Sequence, residues 1–118
     1  MQYLLLIYDP ENAWETMPEA QRNQLFGEYM TFTQDIKASG HHRAGDALQP
    51  TRTATTVRVR DGKVTTTDGP FAETREQLGG YYLIEAKDLD EALRWGAKCP
   101  AAPYGSIEVR PIIEHPEI

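Results

Sequence analysis

Two stretches of the chain carry residue types that can do chemistry. The first is Asp68-Gly69-Pro70-Phe71-Ala72-Glu73-Thr74-Arg75-Glu76, which runs through Gln77-Leu78 into Gly79-Gly80-Tyr81-Tyr82. It gathers three carboxylates and an arginine between a turn signal and a glycine pair. Asp68 follows a threonine run, so its carboxylate can project from a strand end into a cleft and serve there as a general acid or base. The competing reading is a turn residue whose carboxylate bonds its own backbone amides. Arg75, between Glu73 and Glu76, suits bidentate binding of an anion or a local ion-pair network. Phe71, apolar in a polar loop, is expected to anchor that loop in the core; with Glu73, Arg75, Glu76, Tyr81 and Tyr82 it completes the set that would face a ligand. The second stretch is His41-His42, followed by Asp46. A histidine beside an aspartate can relay protons or hold a metal. Adjacent strand residues face opposite ways, so one histidine at most reaches a given cleft. No third ligand is placed, and neither a metal nor a cofactor is expected.

The elements that must hold these residues are legible. Tyr3 to Tyr8 is an apolar run closed by Asp9-Pro10, as expected of a strand covered by helices on one face and by helices or a partner on the other. A polar loop with Trp14 follows. Thr16-Met17-Pro18-Glu19 has the form of a capping box. Leu25, Tyr29, Phe32 and Ile36 then recur at helical spacing up to Ser39-Gly40, where Gly40 can take the left-handed closing position. The stretch from His41 to Pro50 reads as a weak strand. Thr51 to Arg60 reads as a half-exposed strand, Asp61-Gly62 as a type I′ hairpin turn and Lys63 to Thr67 as its partner. Gly80 to Glu85 is another core strand. Asp88 can cap a second helix with the apolar face Leu89, Ala92, Leu93, Gly96 and Ala97, stopped at Pro100. Ser106 to Ile113 closes the chain as a strand. His115 to Ile118 reads as a loose tail.

Two β-α-β units with a hairpin between them predict an α+β sandwich of ferredoxin-like type in one domain. Two helices cover only one face of such a sheet, and the apolar strand residues predict a second copy on the other, hence a homodimer. The net charge of −6, with both signs mixed, argues against a nucleic-acid groove. Cys99 is the only cysteine, so no internal disulfide forms and a reducing cytoplasm is the expected setting. Beside Pro100 and without a histidine partner, its thiol reads as structural. The N-terminal apolar run is too short to span a bilayer and has no basic flank, so no membrane association is expected.

The stretch from Asp68 to Glu76, with Gly79-Gly80-Tyr81-Tyr82, resembles the signature of the DGPF-type, YCII-related proteins. The long helix ending at Gly40, Leu48-Gln49-Pro50, Val57-Arg58-Val59, Glu91-Ala92-Leu93 and Glu108-Val109-Arg110-Pro111 extend the resemblance over nearly the whole chain. It implies a dimeric α/β barrel built from two ferredoxin-like sheets. For some members it also implies an enzyme with a His and Asp pair in a cleft. For the DGPF branch it implies a link to extracytoplasmic-function sigma factors. The helix from Glu19 to Ser39 carries no histidine, a departure from the enzyme-like pattern. Two functions follow as expectations. One is a small-molecule-binding, acid–base dimer using Asp68 with His41 or His42 and Arg75. The other is a non-catalytic regulatory protein in which the signature is a structural loop.

Overall fold

The structure is a computed structural model and describes residues 1–114. The expected tail from His115 to Ile118 lies outside the described residues. The order is β1 (Gln2–Asp9), α1 (Glu11–Thr16), α2 (Glu19–Ala38), β2 (His42–Ala47), β3 (Thr55–Arg60), β4 (Lys63–Asp68), β5 (Gln77–Glu85), α3 (Leu89–Lys98) and β6 (Ser106–Pro111). The main sheet runs β2-β5-β1-β6 with every pair antiparallel. This is the interleaved order of two split β-α-β units, as the ferredoxin-like expectation requires.

One face of the sheet carries the core. Tyr3, Leu5 and Ile7 of β1 and Tyr82 and Ile84 of β5 are buried there beneath Phe32 and Ile36 of α2, Ala92 of α3, and Cys99 and Ala101 beyond it. Complete burial of side chains such as Leu5, Ile36 and Ile84 contributes roughly 1.5–3 kcal/mol each. Phe32 meets Tyr82 edge to face, with ring centroids 5.2 Å apart. Gly96 lets α3 settle on the sheet, since a Cβ there would stand 3.3 Å from Val109 Cγ2. The opposite face, with Leu4, Leu6, Tyr8, Tyr81 and Leu83, stays half-exposed.

The hairpin β3–β4 forms its own two-stranded sheet. Both turn residues are left-handed, Asp61 at φ 51° and Gly62 at φ 75°, as a type I′ turn demands. The hairpin projects from the body, so the molecule measures 47 × 47 × 18 Å and its radius of gyration is 16.4 Å. A compact domain of this length would have about 13–14 Å.

Several local expectations are corrected. The loop around Trp14 is the short helix α1. The Thr16 capping box does not form, because the Thr16 hydroxyl donates to the Asn12 carbonyl at 2.8 Å and the cap position of α2 falls on Pro18. The strand expected from Thr51 begins at Thr55, after a single 3-10 turn at Thr51–Thr53. Both strands of the hairpin are more exposed than a half-buried ribbon would be. On α3 the expected apolar face is buried at Ala92 and Gly96 only: Leu89, Leu93 and Ala97 are exposed, while Trp95 packs at the core margin. Asp88 does cap this helix, its carboxylate accepting from the Glu91 amide at 2.9 Å.

Candidate functional site

The helix-facing row Tyr3, Leu5, Ile7 ends at Asp9, and the structure gathers polar groups around that end. The ladder between β1 and β5 is irregular there: Ile7 pairs with Gly80, Tyr8 with Leu78 and Asp9 with Gln77, leaving Gly79 as the extra residue of a β-bulge. The carboxylate lies against Gly79, where a Cβ would stand in ordinary contact, 3.4 Å from Asp9 Oδ1. Gly105 is the glycine that makes room, since a Cβ there would clash with the Tyr8 carbonyl and lie 3.2 Å from Asp9 Cβ.

The second half of the signature is fastened to this end of the sheet. Glu76 accepts from the Ser106 hydroxyl at 2.8 Å. Gln77 accepts from the Glu11 amide at 3.1 Å and donates to the Thr74 carbonyl at 2.6 Å. Glu11 in turn accepts from the Thr51 amide and hydroxyl at 2.6 and 2.8 Å. Three carboxylates, from β1, α1 and the signature, therefore meet at one strand end.

Their proximity has an electrostatic consequence. Burial raises the proton affinity of Asp9, and the charges of Glu76 and Glu11 raise it further. Tyr104, on the turn leading into β6, is pushed up to about 12, first by burial and then by the charges of Asp9 and Glu28. Burial is also the leading cause raising Tyr29, reinforced by Cys99, whose thiol lies 3.9 Å from the Tyr29 hydroxyl. At neutral pH these phenols are hydrogen-bond donors. A carboxyl that holds its proton more tightly than usual, next to neutral phenols, is equipped for proton transfer to or from a small molecule.

The residues singled out from sequence are dispersed. Asp68 ends β4 opposite Thr55, is exposed, and its carboxylate takes no hydrogen bond among the described residues. It is not spent on the amides of its own turn, and it does not line either of two shallow grooves along α2, one beside Phe32 and Trp95 and one beside Phe26 and Met30. Phe71, expected to plug the core, is 80% exposed, because the loop leaves the sheet before reaching it. Arg75 and Glu73 are exposed, and Arg75 enters no ion pair among the described residues. Glu76 alone of the signature carboxylates reaches the Asp9 cluster.

The histidines lie elsewhere. His41 spans Ser39 Oγ at 2.8 Å through Nδ1 and Glu91 Oε1 at 3.0 Å through Nε2, with its ring against Trp95. Its carboxylate partner is thus Glu91 of α3 in place of Asp46. His42 stacks edge-on to Tyr82, and burial, then the Lys37 and Arg43 charges, lower its proton affinity. Asp46 accepts from the Tyr81 hydroxyl at 3.3 Å on the open face. Tyr82 bonds Thr33 at 2.7 Å in the core. Asp9 escaped the sequence reading; its one signal was an Asp-Pro closing a buried strand, which reads equally as a turn.

Comparison with known proteins follows the same outline. The model of the YCII-related domain matches residues 1–116. An uncharacterized protein of Rhizobium meliloti (strain 1021) is 34% identical over 114 residues, covering 95% of this chain and 92% of that one. Among solved structures, the 5-chloro-2-hydroxyhydroquinone dehydrochlorinase TftG of Burkholderia phenoliruptrix AC1100, in complex with 2,5-dihydroxybenzoquinone, superposes with a TM-score of 0.57. It is 14% identical, with 99% of this chain and 98% of that chain covered, a likeness of fold alone.

Proposed function

The chain belongs to the YCII-related family, and from that premise we propose that it is a small acid–base protein acting on a compact phenolic or enolic molecule at the strand end around Asp9. The observation that carries this reading is the Asp9 carboxylate, half-buried between two glycines, with its proton affinity raised by burial and then by Glu76 and Glu11. Such a group can take a proton from carbon or oxygen and return it, while Tyr104, a neutral donor, steadies an oxygen of the substrate. A dehydrochlorinase shares the fold, and loss of hydrogen chloride begins with the kind of proton removal such a carboxylate performs. The half-exposed apolar face with Leu4, Leu6 and Leu83 supports a homodimer with its sheets facing, the arrangement of a dimeric α/β barrel.

A second reading, a non-catalytic interaction protein, draws support from the exposed signature turn, with Phe71 and Asp68 both open to solvent. One experiment separates the two. Wild type, Asp9→Asn and Asp68→Asn are screened by thermal shift against small phenols, enols and quinones, with 2,5-dihydroxybenzoquinone as the first probe. The acid–base reading expects a stabilising compound for wild type, a response altered in Asp9→Asn, and an unaltered one in Asp68→Asn. A compound that stabilises wild type and Asp9→Asn alike would sink it, as would silence across the library.

A further inference from the structure

The hairpin has two chemically distinct faces. Directly opposed residues of an antiparallel pair share a face. Val59 opposes Val64, Val57 opposes Thr66 and Thr55 opposes Asp68. Three valines and Asp68 therefore lie on one side, and Arg58, Arg60 and Lys63 lie on the other. The valines are 62, 59 and 69% exposed for Val57, Val59 and Val64. A two-stranded ribbon is marginally stable in water by itself, and this one packs substantially only against itself.

A second apolar surface stands open on α2. Phe26 is 62% and Met30 50% exposed, flanking a shallow groove of about 350 Å³ that ends at Lys37. Lys37, like Asp68, forms no ion pair among the described residues. The two surfaces match in order and length. Along β4, Val64 and Asp68 are four residues apart, about 13 Å in an extended strand. Along α2, Lys37 lies about 10 Å beyond Met30 and about 16 Å beyond Phe26 at helical rise. Each surface reads apolar and then charged, and the charges are opposite.

We propose that the valine face of the hairpin docks on α2 of a second copy of this chain, with Val59 and Val64 over Phe26 and Met30 and Asp68 at Lys37. A two-fold axis makes the exchange reciprocal, so both hairpins and both helices are covered at once. The inference does not rest on the catalytic reading: it makes the start of the signature an intersubunit element and gives Asp68 a partner that the described residues of its own chain do not supply. It also accounts for the molecule's flat, extended outline.

The test is sedimentation velocity from 1 to about 100 µM, with circular dichroism as the folding control. The variants are Val59→Glu, Phe26→Glu, Asp68→Lys, Lys37→Asp and the double charge reversal, all at exposed positions. Wild type is expected to self-associate. Val59→Glu and Phe26→Glu weaken it, each single reversal raises the dimer Kd roughly tenfold, and the double reversal recovers most of the loss. A monomeric wild type overturns the proposal. So does a dimer that the hairpin and helix variants leave intact, which would place the contact on the open sheet face alone, and so does a double reversal no better than the singles.

Discussion

Asp9 and Asp68 each end a β-strand, and each stands just ahead of a proline, directly or across one glycine. Their surroundings are opposite. Asp9 closes the helix-facing row of a central strand, where a bulge, two glycines and two further carboxylates surround it. Asp68 closes a ribbon that touches little else, and its carboxylate is open to solvent. The same side chain in nearly the same local motif is thus crowded by burial and neighbouring carboxylates in one place and open to solvent in the other. Proton affinity here is set by what the fold brings from afar.

The comparison breaks most visibly at the glycines beside each aspartate. Gly105→Ala near Asp9 would press a methyl into the Tyr8 carbonyl. The chain must shift, and a stability loss of about 1–3 kcal/mol is expected, read as a lower urea midpoint at unchanged slope. Gly69→Ala beside Asp68 meets open space and suffers only its positive φ of 97°, so about 1 kcal/mol is expected in the same titration. Equal losses would mean that the two strand ends are equally constrained.

Titration sharpens the contrast. The proton affinity of folded Asp9 is raised above the ordinary carboxylate value of 3.8. Below that value both folded and unfolded chains carry the proton, and the group is neutral in stability. As pH rises through 3.8 towards the raised folded value, the unfolded chain ionises first and folding is penalised. Asp9→Asn is therefore expected to melt higher than wild type at pH 7, with the advantage vanishing below about pH 4. Glu73→Gln, at an exposed carboxylate with no hydrogen bond among the described residues, serves as the reference melt at each pH. If Asp9→Asn melts lower than wild type at pH 7, the carboxylate is stabilised in place and its assignment as a strained acid fails.

The smallest effect lies at the far end of the molecule. Glu91 is held below its ordinary value, first by the Lys87 amide and then by His41. Stability from a depressed carboxylate is present above its unfolded value of 4.5 and lost as pH falls through the folded one. Glu91→Gln should therefore lower Tm slightly at pH 7, with the two melts converging in acid.

Much of the framework could be read from sequence because it rests on local patterns. The spacing of Leu25, Phe32 and Ile36 marks the buried side of α2, and Asp61-Gly62 marks its turn without help from the rest of the chain. Where the outcome depended on competing partners, reading failed. Thr16 was available as a cap, but the Asn12 carbonyl of α1 claims its hydroxyl. α1 itself buries no residue, so no periodicity announces it. Phe71 suggested a core plug by residue type alone, yet it is largely exposed. Asp9 acquires its character from residues 11, 76, 79 and 105, an association that exists only after folding.

The bulge at Gly79 has one further consequence. Without that glycine, Leu78 would still follow Gly80 opposite Tyr8, and Gln77 would still oppose Asp9. The extra residue is redundant for the pairing with β1, but its carbonyl accepts from the Leu48 amide at 2.9 Å on the β2 side, and the bulge adds curvature. Curvature at that point steers the signature loop where it joins the sheet, and with it a hairpin roughly 20 Å long. A few degrees at the pivot become about 1–2 Å at Asp61-Gly62. Gly79 thus sets where the loop leaves the sheet, and shortening the chain by this one residue would remove the Leu48 contact and reset the angle of the arm.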